Sequence, residues 1–113
     1  MTSLNIAMQE GSDCYRLFVA GEIDVYTASE LKQRLLPLTR TRDVVLDLNG
    51  TSYMDSTALG VIIAALKGAV QSNHTFQIVG LTPRVERLFR ITGLTDILQR
   101  EQAIGDDDNV REK

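Results

Sequence analysis

The chain is 113 residues long, 43% hydrophobic and 24% charged, with a formal net charge of -3, and these values predict one globular domain with one modest core. One cysteine and one histidine exclude an internal disulfide and a Cys/His zinc site, and the acidic balance without a basic cluster argues against a nucleic-acid partner. No apolar run approaches the roughly 20 residues of a membrane-spanning helix and the amino terminus lacks a signal-peptide pattern, so we expect a cytoplasmic protein that does not bind membranes.

Two segments with alternating apolar residues open the chain. They are separated by a turn-like Glu-Gly-Ser-Asp sequence at residues 10–13. The alternating apolar residues are Leu4, Ile6, Met8, Tyr15, Leu17 and Val19. An apolar residue at every second position is typical of a half-buried strand, so the two segments predict a β-hairpin.

A helix is predicted after residues 21–24. Thr27 and Glu30 form a T-x-x-E pattern, in which each side chain caps the other residue's free amide at a helix start. Pro37 donates no amide hydrogen and crowds the carbonyl one turn earlier, so we expect the helix to stop or bend near Leu36. The apolar residues at helical spacing are Ala28, Leu31, Leu35 and Leu38.

A buried strand and a long helix are predicted in the middle of the chain. Residues 44–48 are nearly all apolar, which is typical of a strand covered on both faces, and the Asn-Gly-Thr-Ser sequence at 49–52 is expected to end it. From about Thr57 to Ser72, apolar residues recur every three or four positions and predict an amphipathic helix. These residues are Leu59, Ile62, Ile63, Leu66 and Val70.

The last third of the chain predicts a strand, a helix and a short final strand. Residues 76–79 are an apolar run, and Thr82 and Pro83 form a cap followed by proline at the first helical position. Gly93 is expected to end this helix, and residues 97–100 to form the final strand. The core face of the helix is predicted to carry Val85, Leu88 and Phe89.

The order of these elements predicts the architecture. Two strands followed by helix, strand, helix, strand, helix and strand imply right-handed crossovers and a mixed sheet of about five strands with helices packed against it, an α/β layer fold. We assign the domain to residues 1–104 and expect the polar residues 105–113 to be a flexible tail.

Residues 52–60 lie at the junction of the buried strand and the long helix. Ser56 is therefore expected at the carboxyl end of a strand and the amino end of a helix, where open α/β sheets usually bind ligands. The Asp-Ser-Thr sequence at 55–57 is also what helix capping requires, because side-chain oxygens accept hydrogen bonds from the free amides of the first turn. Taken alone, the sequence favours a cap over a functional site.

Four ordered blocks of sequence change that interpretation. They are Gly-Glu-Ile-Asp at 21–24, Thr-Ala at 27–28, Met-Asp-Ser-Thr with Leu-Gly at 54–60, and Arg-Leu-Phe with Thr-Gly-Leu at 87–94. Together they resemble the signatures of the STAS-domain anti-anti-sigma factors, and they cover nearly the whole chain in the right order. The likeness is stronger to the branch that controls the general stress-response sigma factor of Gram-positive bacteria than to the sporulation branch.

The resemblance implies a regulatory switch that is not an enzyme. In that family the unphosphorylated antagonist binds an anti-sigma serine kinase, which then releases its sigma factor. The kinase phosphorylates the serine of the Asp-Ser motif, here Ser56, and the antagonist is released; a phosphatase of the PP2C type restores binding. The residues themselves give no case for a cofactor or a metal site, and we expect the free protein to be a monomer.

The resemblance also assigns partner contacts to particular residues. Ser56 is the expected phosphorylation site, and Asp24, Asp55, Thr57 and Ala58 are expected at the partner interface. The residues themselves leave alternatives open: Asp24 is equally suited to capping the turn before the first helix, and Asp55 to capping the next helix while it presents Ser56. Thr57 is disfavoured as a second acceptor because its γ-methyl group hinders approach.

Two positions near Ser56 call for small residues. The family usually has glycine where this chain has Ala58, and alanine strengthens a helix start but reduces backbone freedom. We therefore expect Ala58→Gly to speed phosphorylation. We interpret Gly60 as a point of close packing, not as a binding residue.

Two other functions compete with this hypothesis. A serine-nucleophile enzyme is disfavoured because His74, interpreted as a solvated loop residue, lies beyond the far end of the helix, roughly 20 Å from Ser56. A STAS-type binding subunit, such as a lipid-transport accessory, a stressosome-like scaffold or a nucleotide binder, is compatible with the fold. The small size, the lack of a basic or glycine-rich phosphate cradle and the acceptor serine argue against it.

Overall fold

The computed structural model describes residues 4–100. Within them the strands are β1 (Asn5–Glu10), β2 (Cys14–Ile23), β3 (Asp43–Met54) and β4 (Phe76–Val79). The helices are α1 (Ala28–Thr39), α2 (Ser56–Gln71), α3 (Pro83–Thr92) and α4 (Leu94–Arg100). The predicted tail at 105–113 and the predicted domain end at residue 104 lie outside the described residues.

The strands form one mixed sheet in the order β1-β2-β3-β4. β1 pairs with β2 in antiparallel orientation, as the predicted hairpin requires, while β2 with β3 and β3 with β4 are parallel. Parallel neighbours need crossover connections, and α1 and α2 supply them. The predicted α/β class with a mixed sheet is confirmed, with four strands among residues 4–100 where about five were expected.

All four helices contribute to one core on one face of the sheet. Two successive right-handed crossovers that advance in the same direction place their helices on the same face. The core side chains from the strands include Leu17, Val19, Val44, Leu46, Leu48, Phe76 and Ile78, and those from the helices include Leu31, Leu35, Ile62, Phe89 and Leu98.

On the opposite face of the sheet, the side chains of Arg16, Phe18, Val45 and Gln77 are half-buried or exposed. The prediction that residues 44–48 are covered on both faces is therefore wrong for the part of the chain that the structure describes. The run is nearly all apolar, but Val45 points away from the helices, and Asp47 on that face is held by an ion pair with Arg16 (Nη2 to Oδ2, 2.8 Å).

β3 continues through the segment that was expected to end it. The register with β2 shifts near Gly50, and a Cβ atom at that glycine would lie 2.8 Å from the Cβ of Ala20. Thr51 donates a hydrogen bond from its hydroxyl to the Val19 carbonyl (2.9 Å). The Asn-Gly-Thr-Ser sequence is thus a site of close approach between two strands and not the end of β3, because a bulged strand accommodates glycine where backbones converge.

α1 does not stop near Leu36 but runs through Pro37 to Thr39. Leu35 and Thr39 are fully buried, whereas Pro37 and Gln33 are exposed. Proline removes the hydrogen bond to the carbonyl four residues earlier, and this carbonyl belongs to the exposed Gln33, which water can reach. The stabilisation gained by burying the last turn of α1 therefore outweighs the loss of one backbone hydrogen bond.

The predicted final strand at 97–100 is wrong, because these residues belong to α4. Gly93 adopts a left-handed conformation (φ 81°) and ends α3 as expected, and the chain then re-enters a helix at once. Leu94 and Leu98, four residues apart, are both buried in the core while Asp96 is exposed. A strand would have placed Asp96 on the same face as the two leucines.

Candidate functional site

The carboxyl ends of β2 and β3 lie side by side. Ile23 pairs with Met54 in the parallel register, and Asp24 and Asp55 are the next residues on the two strands. The backbone amide of Asp55 donates a hydrogen bond to the carbonyl of Ile23 (3.1 Å). Because paired strands are about 4.8 Å apart, the turn that carries Asp24 is next to the first residue of α2, Ser56.

Asp55 is the N-cap of α2. It has an extended backbone (φ -109°, ψ -177°), and its Oδ1 accepts a hydrogen bond from the backbone amide of Thr57 (2.9 Å). The amide of Ala58 donates to the Asp55 carbonyl (3.1 Å). The predicted capping role of Asp55 is confirmed, and the cap fixes the position of Ser56 at the mouth of the helix.

Replacing the cap is expected to have a modest, measurable cost. Asp55→Ala should lower the free energy of unfolding by about 1 kcal/mol, because a first-turn amide loses its acceptor. Urea denaturation followed by circular dichroism measures the change. Glu30→Ala on α1 is the matched control: no side-chain cap is formed there, so a change within about 0.5 kcal/mol is expected, and equal losses in the two variants would contradict the assignment.

Ser56 and Thr57 are exposed at the start of α2. Within residues 4–100 no hydrogen bond involves the Ser56 hydroxyl. The first turn of a helix carries backbone amides without intrahelical partners, and the helix dipole there favours negative charge. The hydroxyl is therefore accessible to an enzyme, and the local structure can tolerate an anionic group on it.

Asp24 organises the turn between β2 and α1. Its Oδ1 accepts hydrogen bonds from the backbone amides of Tyr26 (2.9 Å) and Thr27 (3.1 Å). The Thr27 hydroxyl donates to the Glu22 carbonyl (2.8 Å) and accepts from the Asp24 amide (2.9 Å). The turn-capping role of Asp24 is confirmed, whereas the capping box with Glu30 is wrong, because the Thr27 hydroxyl is used in this turn.

Ala58 and Gly60 lie on different sides of α2. Ala58 is fully buried in the core, so its methyl group is not at the surface beside Ser56. Gly60 is exposed, and a Cβ atom built there would have no neighbour within 4 Å. The interpretation of Gly60 as a close-packing point is therefore wrong. The absence of a side chain at this position affects the exposed surface of α2 and not its packing.

A groove runs between the start of α1 and the first turns of α2. Its volume is about 400 Å³, and Val25 and Tyr26 in the preceding turn are 61% and 85% exposed. The groove is lined by Val25, Ala28, Ser29, Lys32, Thr57, Gly60 and Val61. The groove was not predicted from the sequence. The apolar Val-Tyr pair at residues 25–26, which lies outside any periodic pattern, could have indicated an exposed apolar surface.

His74 lies beyond the opposite end of α2 from Ser56. The helix has 16 residues, so its ends are about 24 Å apart at 1.5 Å per residue. His74 is half-buried, and its Nδ1 is 2.9 Å from the carbonyl oxygen of Thr39. It therefore anchors the end of α1 and is not the solvated loop residue that was predicted.

Residues 4–100 bring together no group of three or more His, Cys, Asp or Glu side chains that could hold a metal ion. No helix among them has both the length and the apolar character to cross a bilayer.

Sequence comparison identifies the relatives of this chain. A family model described as "Mlab, STAS domain" matches residues 6–99. The anti-sigma-B factor antagonist of Staphylococcus aureus (strain NCTC 8325 / PS 47) is 42% identical over 98 residues, which cover 85% of this chain and 91% of that protein.

Solved structures share the fold. An anti-sigma factor antagonist from Mycobacterium paratuberculosis aligns with a TM-score of 0.75 and 23% identity over 83% of this chain and 81% of its own. The anti-sigma factor antagonist SpoIIAA in its unphosphorylated form aligns with a TM-score of 0.73 and 13% identity, over 93% and 90% of the two chains. The Bacillus SpoIIAA in its phosphorylated form gives a TM-score of 0.69, 12% identity and 93% coverage of both chains.

Proposed function

Because this chain belongs to the STAS-domain family and is a homologue of the anti-sigma-B factor antagonists, we propose that its unphosphorylated form binds an anti-sigma serine kinase and thereby frees a sigma factor. Phosphorylation of Ser56 by that kinase dissociates the complex, so that the protein and the kinase separate. A PP2C-type phosphatase removes the phosphate and restores binding. The exposed hydroxyl of Ser56 at the amino end of α2 is the observation on which this proposal depends.

The local electrostatics support a switch that leaves the fold intact. A phosphate adds roughly 1.5 to 2 negative charges at a helix end whose dipole favours negative charge. No hydrogen bond of the Ser56 hydroxyl within residues 4–100 has to be broken to make room for it. The phosphorylated protein should therefore fold as the unphosphorylated one does.

The same charge is unfavourable inside a protein interface. The carboxylate of Asp55 caps the helix next to Ser56, and the turn that carries Asp24 adjoins it, so a partner that fits the bare hydroxyl meets a concentrated negative charge after phosphorylation. An unpaired charge that loses its water costs several kcal/mol. Since about 1.4 kcal/mol changes affinity tenfold, one phosphate is enough to separate the partners.

The direct test is to map the phosphate. The purified protein is incubated with ATP and its cognate anti-sigma kinase, and the modified residue is identified by mass spectrometry. We expect one phosphate on Ser56, none in Ser56→Ala, and normal labelling in the control Ser12→Ala, whose serine is exposed in the turn before β2. Phosphate on another residue would contradict the site, and the absence of both labelling and a complex would favour the STAS-type binding-subunit alternative.

Ala58→Gly is expected to speed this reaction and to weaken the fold. Glycine at a buried position of the first helical turn should lower the free energy of unfolding by about 1 kcal/mol, while the looser backbone lets Ser56 reach the kinase more readily. Initial rates of phosphate incorporation and urea denaturation measure the two effects. The control Ala65→Gly, at another fully buried alanine of α2, should lose similar stability with an unchanged rate; equal rates in Ala58→Gly and the unmodified chain would contradict the prediction.

A further inference from the structure

Gly60 occupies a helical position where the fold does not require glycine. Its backbone is within α2, it has no positive φ angle, and the space that a Cβ atom would fill is empty. Glycine is among the least favourable residues in a helix interior, because it loses the most backbone freedom on folding. What the missing side chain provides is the open floor of the groove between α1 and α2.

Val25 forms an exposed, apolar rim of this groove, which the neighbouring Tyr26 does not line. Val25 and Tyr26 are adjacent in the turn that Asp24 and Thr27 hold in place. Tyrosine is one of the residues that contribute most to binding at protein interfaces, since it supplies a large contact area at low conformational cost. A rigid turn that presents such side chains beside an open floor is suited to receiving an apolar side chain of another protein.

The protein that binds in the groove can be inferred from the short distance between the groove and Ser56. Gly60 lies one helical turn after Ser56, about 6 Å along the axis, and Thr57 belongs to the groove wall. A stable protein interface covers about 800 Å² on each partner, a patch far wider than one turn. An enzyme that reaches the Ser56 hydroxyl while it forms such an interface must cover the groove.

We infer that the groove is the docking site for an apolar side chain of the kinase that phosphorylates Ser56, and that Lys32 at the groove pairs with an acidic group of that kinase. The inference rests on the proposed function and adds the surface that provides affinity. Lys32 lines the groove and forms no ion pair within the described residues. Asp55 lies next to the serine and Lys32 lies at the groove, so the two ends of this surface carry opposite charges, which favours one orientation of the kinase.

Variants that fill or strip the groove test the inference without touching the acceptor serine. Affinity for the cognate anti-sigma kinase is measured by calorimetry with ADP, so that no phosphate is transferred. Filling the floor with Gly60→Leu, removing the rim with Val25→Ser and reversing the charge with Lys32→Glu should each weaken binding by about tenfold or more. Gly60→Ala should raise the melting temperature by about 4–8 °C and still weaken binding.

Matched changes away from the groove are the controls. Gln71→Leu adds the same side chain at an exposed position at the other end of α2, and Ile91→Ser removes an apolar side chain that is 74% exposed on α3. Both should bind the kinase within about twofold of the unmodified chain, which is the scatter expected of distant surface changes. Melting temperatures of all variants show that each one folds.

The outcomes separate the inference from the proposed function. If the unmodified chain is phosphorylated on Ser56 but the groove variants bind as tightly as the controls, the groove inference is overturned and the function stands. If Ser56 is not phosphorylated and no complex forms, the function fails and the inference with it. If Gly60→Ala has a lower free energy of unfolding than the unmodified chain, the fold requires this glycine and the groove does not explain it.

Discussion

A phosphate on Ser56 is expected to lower the affinity of this protein for its anti-sigma kinase by at least about 100-fold, which corresponds to about 2.7 kcal/mol. The unmodified hydroxyl is exposed next to the Asp55 cap, and an interface that covers it excludes the water that an added dianion needs. Calorimetry with the enzymatically phosphorylated protein, with ADP in place of ATP, measures the change. The free energy of unfolding should differ by less than about 1 kcal/mol, because the helix end accommodates the charge.

The control places a negative charge elsewhere on the molecule. Ser12 lies in the exposed turn before β2, at the opposite end of this strand from Ile23 and Asp24. Ten residues at about 3.3 Å each separate the two ends. Ser12→Asp should therefore bind the kinase within about twofold of the unmodified chain, while Ser56→Asp should bind more weakly. A phosphorylated protein that binds its kinase as tightly as the unmodified one would refute the switch.

Thr27→Val is expected to lower the free energy of unfolding by about 3 kcal/mol. The Thr27 side chain is 4% exposed, and its hydroxyl bonds both the Glu22 carbonyl and the Asp24 amide. Valine keeps the shape but leaves these two backbone groups without their partner, and each buried unsatisfied group costs about 1–3 kcal/mol. Urea denaturation at fixed pH measures the loss.

The same change should also affect the docking groove. The turn that Thr27 braces carries Val25 and Tyr26, so a looser turn is expected to weaken kinase binding as well. Thr41→Val is the matched control, because its hydroxyl makes a single bond to the Leu38 carbonyl (3.0 Å) at an exposed position; it should change the free energy of unfolding by less than about 0.5 kcal/mol. Equal stability of the two variants would show that the hydroxyl of Thr27 does not hold the turn.

The local pattern of the sequence predicted most elements because their signals are local. Alternation identified the hairpin, helical spacing identified α1, α2 and α3, and Gly93 marked the end of α3. The position of Ser56 also followed from local signals: an apolar run before it, an amphipathic run after it and an Asp-Ser-Thr cap between them. The cap forms with Asp55 as predicted, since capping involves atoms only two residues apart.

The failures of sequence reasoning share one cause. Gly50 was interpreted as part of a segment that ends a strand, Pro37 as the end of a helix and residues 97–100 as a strand. In each case contacts with residues distant in sequence decided the conformation: the approach of Ala20, the burial of Thr39 and the packing of Leu98 in the core. Propensity is a weak preference, and tertiary packing overrides it.

The sequence by itself determined that the chain is an α/β protein with a serine at the start of its longest helix, because the spacing of apolar residues and the capping chemistry are properties of neighbouring residues. Only the tertiary structure decided that Asp24 lies beside Asp55, that Ala58 faces the core and that Gly60 faces a groove. These facts depend on the parallel pairing of β2 with β3 and on the rotation of α2 against the sheet. Both are set by burial of the whole core, which no short stretch of sequence contains.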